Sequence, residues 1–364
     1  NGILIDIPYF SQLSKTYHRE LNTLEKKIWE LTGQEFNINS PKQLGVILFD
    51  KMGLSAKGLK KSAGGARSTR ESELEKLREG NPIIDKIFEY RELQKLLSTY
   101  IDTIPNQVAG DGRLHATFSQ TGTTTGRFSS NNPNLQNIPI RTELGKNIRH
   151  AFIAEEGYTL MAYDYSQIEL RIAALLSQDE YFIKVFKDGK DIHTAVACKV
   201  FGVDEKDVTH EMRRRAKIIN FGILYGMGVN ALKANLGSTQ AEARAFYDDY
   251  FKNFSGVAEY LNKVKFETAQ SGYTETLFGR RRYFEGINSK LPFIRAAAER
   301  MAINAPVQGT SADMVKIAMK VVYAKLQALG MLNDVRLLLQ VHDELVFEIR
   351  TPEVKKMAII DRKS

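Results

Sequence analysis

The chain has 364 residues, 43% of them apolar, and a formal net charge of +8. That is enough apolar material for a large core shared by two or three domains, and the positive balance leans toward a polyanionic partner. No run of about 18 uncharged apolar residues occurs, so no membrane span is expected. Asn1–Phe10 has no basic region followed by an apolar stretch, so no signal peptide is expected either. The single cysteine, Cys198, rules out an internal disulfide and reads as a buried thiol in a reducing, cytoplasmic setting.

Residues 1 to about 105 are rich in helical signals. Leu13, Tyr17, Leu21, Leu24, Ile28 and Leu31 recur at the spacing of one helix face, which predicts a helix over Leu13–Thr32. Asn39-Ser40-Pro41 is a capping signal that opens Lys42–Lys51. Lys57–Arg70 (KGLKKSAGGARSTR) carries Lys and Arg with no acid and three glycines. It reads either as a solvated loop or as a tip that touches phosphates. Glu71–Glu79 and Pro82–Thr99 resume helical periodicity, which suggests a projection with the basic tip between two long helices.

Over Ile101–Ile140 the periodicity fades. Thr117–Ser130 (TFSQTGTTTGRFSS) reads as strand and loop with Arg127 its only charge, and Asn131–Ile138 as a turn and polar segment. These hydroxyls and amides suit sugar and phosphate contacts, and equally a self-satisfied loop. Tyr158–Tyr163 is strand-like and Asp164 ends it. Ser166 then opens a helical pattern through Ile168, Leu170, Ile172, Ala173, Leu175 and Leu176. Lys184–Asp207 reads as helix with a break at Gly202, and His193 within it as a structural histidine.

Glu211–Tyr225 (EMRRRAKIINFGILY) is the most informative helix. Arg213, Lys217, Phe221 and Tyr225 fall at i, i+4, i+8 and i+12, so two cations and two aromatics share one face. Ile218, Ile219, Ile223 and Leu224 make the apolar side. Arg213, Arg214 and Arg215 in the first turns oppose the helix dipole, an arrangement that makes sense if an anion fills the site. A solvated basic stripe is the other reading. Ala241–Thr268 is helical, Gly272–Tyr283 a short hairpin with a basic triplet, and Ile294–Ala305 and Ser311–Leu329 two helices separated by a break at Pro306–Thr310.

Leu337–Ile349 (LLLQVHDELVFEI) places His342-Asp343-Glu344 between two buried-strand patterns, so it reads as a hairpin. Adjacent acids repel and are costly to desolvate, and a divalent cation relieves both costs. Asp164 supplies another acid at the end of another strand. Two buried strands that each deliver an acid to one sheet edge make a two-metal Mg²⁺ site plausible. No P-loop, zinc-ligand spacing, HExxH, internal repeat, Ser-His-Asp or Cys-His arrangement stands out.

Together these stretches resemble the polymerase region of the family A DNA polymerases. DYSQIELR (Asp164–Arg171) and QVHDE (Gln340–Glu344) resemble the catalytic motifs, and RRRAKIINFGILYG (Arg213–Gly226) the fingers helix. TGRFSS, PNLQNIPIR, DIHT, ETLFGRRR and ERMAINAPVQGT are also similar, in the family's order. The resemblance implies an α+β, multidomain right hand: a helical thumb at 1–105, an antiparallel-sheet palm at 106–165 and 291–364, and helical fingers at 166–290. It implies a monomeric, template-directed DNA polymerase of replication and repair, with primer–template DNA and deoxynucleoside triphosphates as partners and two Mg²⁺ ions as cofactors.

By motif, Asp164 and Asp343 would bind the ions beside Tyr165, with Glu344 in support. Arg213, Lys217 and His193 would hold phosphates, Phe221 would face sugar and base, and Tyr225 would stack near the template or the new pair, with Gln167 nearby. Arg127, Gln136, Arg141, Arg300, Asn304, Gln308 and His342 would contact the duplex, largely in the minor groove, where acceptors are shared by all pairs. Glu169 admits two readings: Ser166-x-x-Glu169 is a capping box, and the resemblance assigns Glu169, with Tyr225, to exclusion of the ribose 2′-hydroxyl. Exonuclease domains are not expected in this chain. Its end, 21 residues past Asp343, leads us to expect an incomplete palm. A DNA-binding module without catalysis and a relative of the single-subunit RNA polymerases are the competing readings.

Overall fold

The computed structural model describes residues 1–55, 58–61, 64–139 and 142–357. The architecture is α+β, with helices predominating over short sheets. It forms two compact units, 1–117 with 130–160, and 118–129 with the residues from 161 onward.

In the first unit the leading helix spans Ile7–Thr32, earlier than periodicity alone predicts. Asp6 is the reason: its carboxylate accepts from the Tyr9 N–H at 2.9 Å, and Pro8 is preset for a first turn. Phe10, Leu13, Tyr17, Leu21, Leu24 and Ile28 are buried, and the helix packs on Pro82–Leu96. Leu31, expected on that face, is exposed. Ser40 caps Pro41–Gly45, accepting from Gln43 N–H, and a π-helical turn at Val46–Lys51 continues it.

The basic stretch is only partly described, since Lys57, Ser62 and Ala63 lie outside the described residues. Lys61 bridges to Arg67, and Arg67 pairs with Asp50 at 2.9 Å. Beyond the tip come a single turn, Glu71–Leu74, and a 3-10 turn, Glu75–Leu77, so the one long helix on that side is Pro82–Leu96. Strands Arg113–Leu114, Ile3–Ile5 and Phe152–Ile153 form an antiparallel sheet in that order.

In the second unit a three-stranded sheet has Glu344–Arg350 at its centre, between Tyr158–Asp164 and Val335–Val341. Leu345, Phe347 and Ile349 alternate into the core. Helices cover that core, among them Ile168–Ser177, Ile192–Phe201, His210–Leu224 and Ser255–Ser271. The region read as Lys184–Asp207 is two helices, Glu180–Lys187 and Ile192–Phe201, the second ended by Gly202 with φ +66°. Cys198 is half-buried, against the expectation of a buried thiol.

The expected break at Pro306 does not occur. Pro292–Ala328 is one helix of 37 residues. Proline forfeits one backbone hydrogen bond. Here Ala302, Ala305, Val307, Gly309, Thr310 and Ser311 are buried around it, and this packing outweighs the lost bond.

Tyr250 lies fully buried against Phe251 and Phe254, and its hydroxyl has no hydrogen-bond partner among the described residues. An unsatisfied buried hydroxyl costs about 1–3 kcal/mol. Tyr250→Phe should therefore raise stability by about 1 kcal/mol, read as a higher urea midpoint; an unchanged or lower midpoint counts against the unpaired hydroxyl.

Candidate active site

Asp164 ends its strand, and Asp343 sits in the turn between Val335–Val341 and Glu344–Arg350. The Tyr165 N–H donates to the Asp343 carbonyl at 3.0 Å, which ties the turn to the strand end. His342 holds the left-handed conformation at φ +56°, and Gln340 Nε2 donates to its carbonyl. The Ser311 hydroxyl, on the long helix, donates to Asp343 Oδ1 at 3.2 Å. Glu344 is the first residue of its strand, opposite Val341.

Burial first, and the negative charge of Asp343 second, hold the Asp164 carboxyl above the usual carboxylate range. The Asp343 carboxylate is thus close enough to oppose the ionisation of Asp164. Among the described residues no three His, Cys, Asp or Glu side chains converge as a ready-made cage. A carboxylate pair of this kind fits Mg²⁺, which characteristically takes one or two protein carboxylates and completes its shell with water and phosphate oxygens.

Glu169 is buried, and its two oxygens are both engaged. Arg127 pairs with Oε1, and the Tyr225 hydroxyl donates to Oε2 at 2.6 Å. Burial raises its pKa, while Tyr225 and Arg127 pull it down. The Tyr225 phenol is pushed well up, by burial first and then by the Glu169 charge. The capping box is not formed. Gln167, at φ +56°, is the residue before the helix, which starts at Ile168, and the Ser166 N–H donates to the Asp164 carbonyl instead. Glu169 is therefore one position short of the third helical residue that a capping box needs, and it is spent on Arg127 and Tyr225.

Thr209 caps the helix His210–Leu224. The expected face is present: Phe221 and Tyr225 stack at 6.2 Å, and Ala216, Ile219, Ile223 and Leu224 are buried on the other side. The cations differ from the expectation. Arg214 and Arg215 both pair with Glu211, and Arg213 makes a two-pronged bond to Asp191 at 3.1 and 2.8 Å. These arginines are compensated by acids, so their opposition to the helix dipole does not require an anion. Lys217 is exposed and has no ion-pair partner among the described residues.

Asp191 itself caps Ile192–Phe201 through the Thr194 N–H at 2.7 Å. Burial would raise its pKa, but the bonds from Arg213 and Thr194 prevail and bring it to about 2. His193 is buried, its Nδ1 3.1 Å from Asn220 Nδ2 and its ring 5.6 Å from Phe221. Burial lowers its pKa to about 4, so it is neutral at neutral pH. These are the contacts of a packed, structural histidine.

Of the residues expected on DNA, Arg300, Asn304 and Gln308 fall at i, i+4 and i+8 on the long helix. A Cβ on Gly226, at φ +66°, would come within 2.9 Å of the Arg300 side chain, so glycine lets that turn lie against it. His342 is exposed at the turn. Gln136 lies in the first unit, in the 3-10 turn Leu135–Asn137, and Arg141 lies outside the described residues. Sequence reasoning missed Asp191, Asn220 and Ser311. The Asp-x-x-Thr spacing of a cap marks Asp191; Asn220 and Ser311 carry no local signal.

The family model described as DNA polymerase family A matches residues 7–363. The chain belongs to DNA polymerase family A. It is 49% identical over 363 residues to the thermostable DNA polymerase I of Thermus thermophilus, covering 100% of this chain and 43% of that protein. It is 47% identical to DNA polymerase I of Deinococcus radiodurans, covering 100% of this chain and 37% of that one. The chain thus spans less than half the length of these family relatives. The POL domain of Pol1 from M. smegmatis, solved in complex with DNA primer-template and dNTP, superposes at a TM-score of 0.93 with 41% identity, over all of this chain and 63% of that one.

A histidine whose pKa is lower in the folded state is destabilising once the unfolded form protonates. Stability from His193 is complete above pH about 6.5 and is lost as pH falls toward about 4. The loss should approach 3 kcal/mol at about 1.4 kcal/mol per pH unit. Asp164 and Glu169, with raised pKa values, act in the opposite sense. Urea unfolding of wild type and His193→Gln between pH 7 and 4.5 isolates the histidine: the variant should show the smaller acid loss, and parallel curves would contradict the assignment.

Proposed function

We propose that this chain is a template-directed DNA polymerase that adds deoxynucleotides to a primer 3′ end, with two Mg²⁺ ions at Asp164 and Asp343. The observation that carries this reading is the pairing of those two carboxylates at one sheet end, fastened by the 3.0 Å bond from Tyr165 N–H to the Asp343 carbonyl. Family membership and the likeness to a polymerase domain solved with primer-template and dNTP support it. Asp164 and Asp343 hold the ions, with Tyr165 and Glu344 beside them. When bound, Mg²⁺ supplies activation of the primer hydroxyl and neutralisation of the charge that develops on the phosphates.

The other residues bind and orient. Lys217 is the uncommitted cation for the triphosphate, and Arg213 is held beside it by Asp191. His193 supports Phe221 from behind as a neutral ring. Glu169, drawn onto Tyr225 and Arg127, closes the space where a 2′-hydroxyl would sit, and Gln167 flanks it. Arg300, Asn304, Gln308 and His342, with Gln136, Arg141 and, when released from Glu169, Arg127, contact the duplex. In this reading 1–105 is the thumb, 106–165 and 291–364 the palm, and 166–290 the fingers.

Primer extension with deoxynucleotides and Mg²⁺ tests the reading, with ribonucleotides as the comparison. Wild type should extend with deoxynucleotides only, and Asp343→Asn should abolish extension. DNA binding without extension would leave a binding module, and a preference for ribonucleotides would indicate an RNA polymerase. Lys217→Ala should raise KM for the deoxynucleotide about 10- to 100-fold, the worth of a hydrogen bond to a charged group. Glu169→Ala should cost about 3 kcal/mol of stability by stranding Arg127, and should admit ribonucleotides as well. Loss of stability with discrimination intact would remove Glu169 from sugar selection.

A further inference from the structure

Three of the hydrogen bonds at the turn that carries Asp343 bear on its geometry, two of them to the backbone. Tyr165 N–H bonds the Asp343 carbonyl, and Gln340 bonds the His342 carbonyl. Neither restrains the Asp343 side chain. The Ser311 hydroxyl does, at 3.2 Å from Oδ1, and no described residue bonds Oδ2. Ser311 sits in the most deeply packed stretch of the long helix, 1% exposed, with Thr310, Ala312 and Asp313 also buried. Thr310 Oγ1 accepts from the Leu277 N–H at 3.1 Å, and Asp313 bonds Thr276 and Arg280, so this helix segment is anchored on both sides of the serine. A donor on so rigid a support fixes the carboxylate it bonds.

We propose that Ser311 is a positioning residue for Asp343: its hydroxyl holds Oδ1 and so turns Oδ2 toward a divalent cation. This rests on the reading that Asp343 binds a metal, and it adds a partner on the long helix that sets the orientation of that ligand. Without the hydroxyl the carboxylate rotates about its last torsion, and part of the binding energy goes into fixing it. Outer-shell partners of this kind are worth about 10- to 100-fold in metal affinity.

The test is Tb³⁺ luminescence, sensitised by protein tyrosines, titrated on the full chain as wild type, Ser311→Ala, Ser311→Thr and Asp343→Asn. Melting temperature and primer–template affinity are measured on the same samples. The proposal expects Ser311→Ala to weaken Tb³⁺ binding about 10-fold or more, with melting temperature and DNA affinity unchanged, and Ser311→Thr, which keeps the hydroxyl, to restore it. Wild-type affinity in Ser311→Ala overturns it. So does a loss of affinity that tracks a fall in melting temperature across both serine variants. Asp343→Asn judges the underlying metal reading separately: if it binds Tb³⁺ as wild type does, that reading fails and Ser311 has nothing to position. Primer extension by the same samples is a third, independent readout: absence of extension by wild type, with the Ser311→Ala weakening present, removes the catalytic reading and keeps the positioning one.

Discussion

Two carboxylates placed side by side repel each other, and the fold around Asp164 and Asp343 is arranged to hold them there regardless. The repulsion is visible in the Asp164 carboxyl, held above its ordinary range by burial and by its neighbour's charge. Opposing it are backbone bonds, because a main-chain bond fixes position without adding charge. Tyr165 N–H to the Asp343 carbonyl joins the end of one strand to the turn between two others. The turn needs this help, since His342 sits at φ +56°, a conformation that a non-glycine residue adopts at a cost. On the proposed reading, such an arrangement carries unfavourable electrostatics in the protein alone that a bound cation would relieve, and this is what would set a metal site apart from a merely charged hairpin.

A second constraint is the buried Glu169. A lone buried carboxylate is costly, and here Arg127 and the Tyr225 hydroxyl share it. Replacing such a buried pair by apolar groups is often neutral for stability, so stability alone does not explain its presence. Its geometric effect does: it binds the first turn of Ile168–Ser177 to the last turn of His210–Leu224 and to the loop that carries Arg127. The Asp343 charge also bears on both Glu169 and Tyr225. The acid pair therefore acts electrostatically on the Glu169 cluster through the Asp343 charge.

Much of this is legible in the sequence where a single periodicity governs. Arg213, Lys217, Phe221 and Tyr225 share a face because the helical repeat demands it, and the strand–turn–strand around Asp343 comes from two apolar runs. Several of the failures share an origin, which is that long-range partners override local signals. Ser166-x-x-Glu169 has the form of a capping box, but Gln167 adopts a positive φ and Glu169 goes to residues 42 positions before it and 56 after it. Pro306 is a local breaker, yet burial on several sides keeps the helix continuous. Ser311 carries no local mark at all, because what matters is a residue 32 positions away.

The arginines of His210–Leu224 carry the same lesson into electrostatics. Cations at a helix start oppose its dipole, and the sequence alone invites a phosphate to explain them. The structure explains two of them with Glu211 one turn back, and the third with Asp191, whose carboxyl is brought to about 2 by that contact and Thr194 against the opposing effect of burial. Exposed pairs such as these are worth little in stability. Their consequence is for binding: a phosphate that engages Arg213 has to compete with Asp191, whereas Lys217 is uncommitted. Charge along this helix is thus graded: the three arginines are all held by acids, while Lys217 is exposed with no ion-pair partner among the described residues, and on the proposed reading it is the first cation an incoming triphosphate would meet.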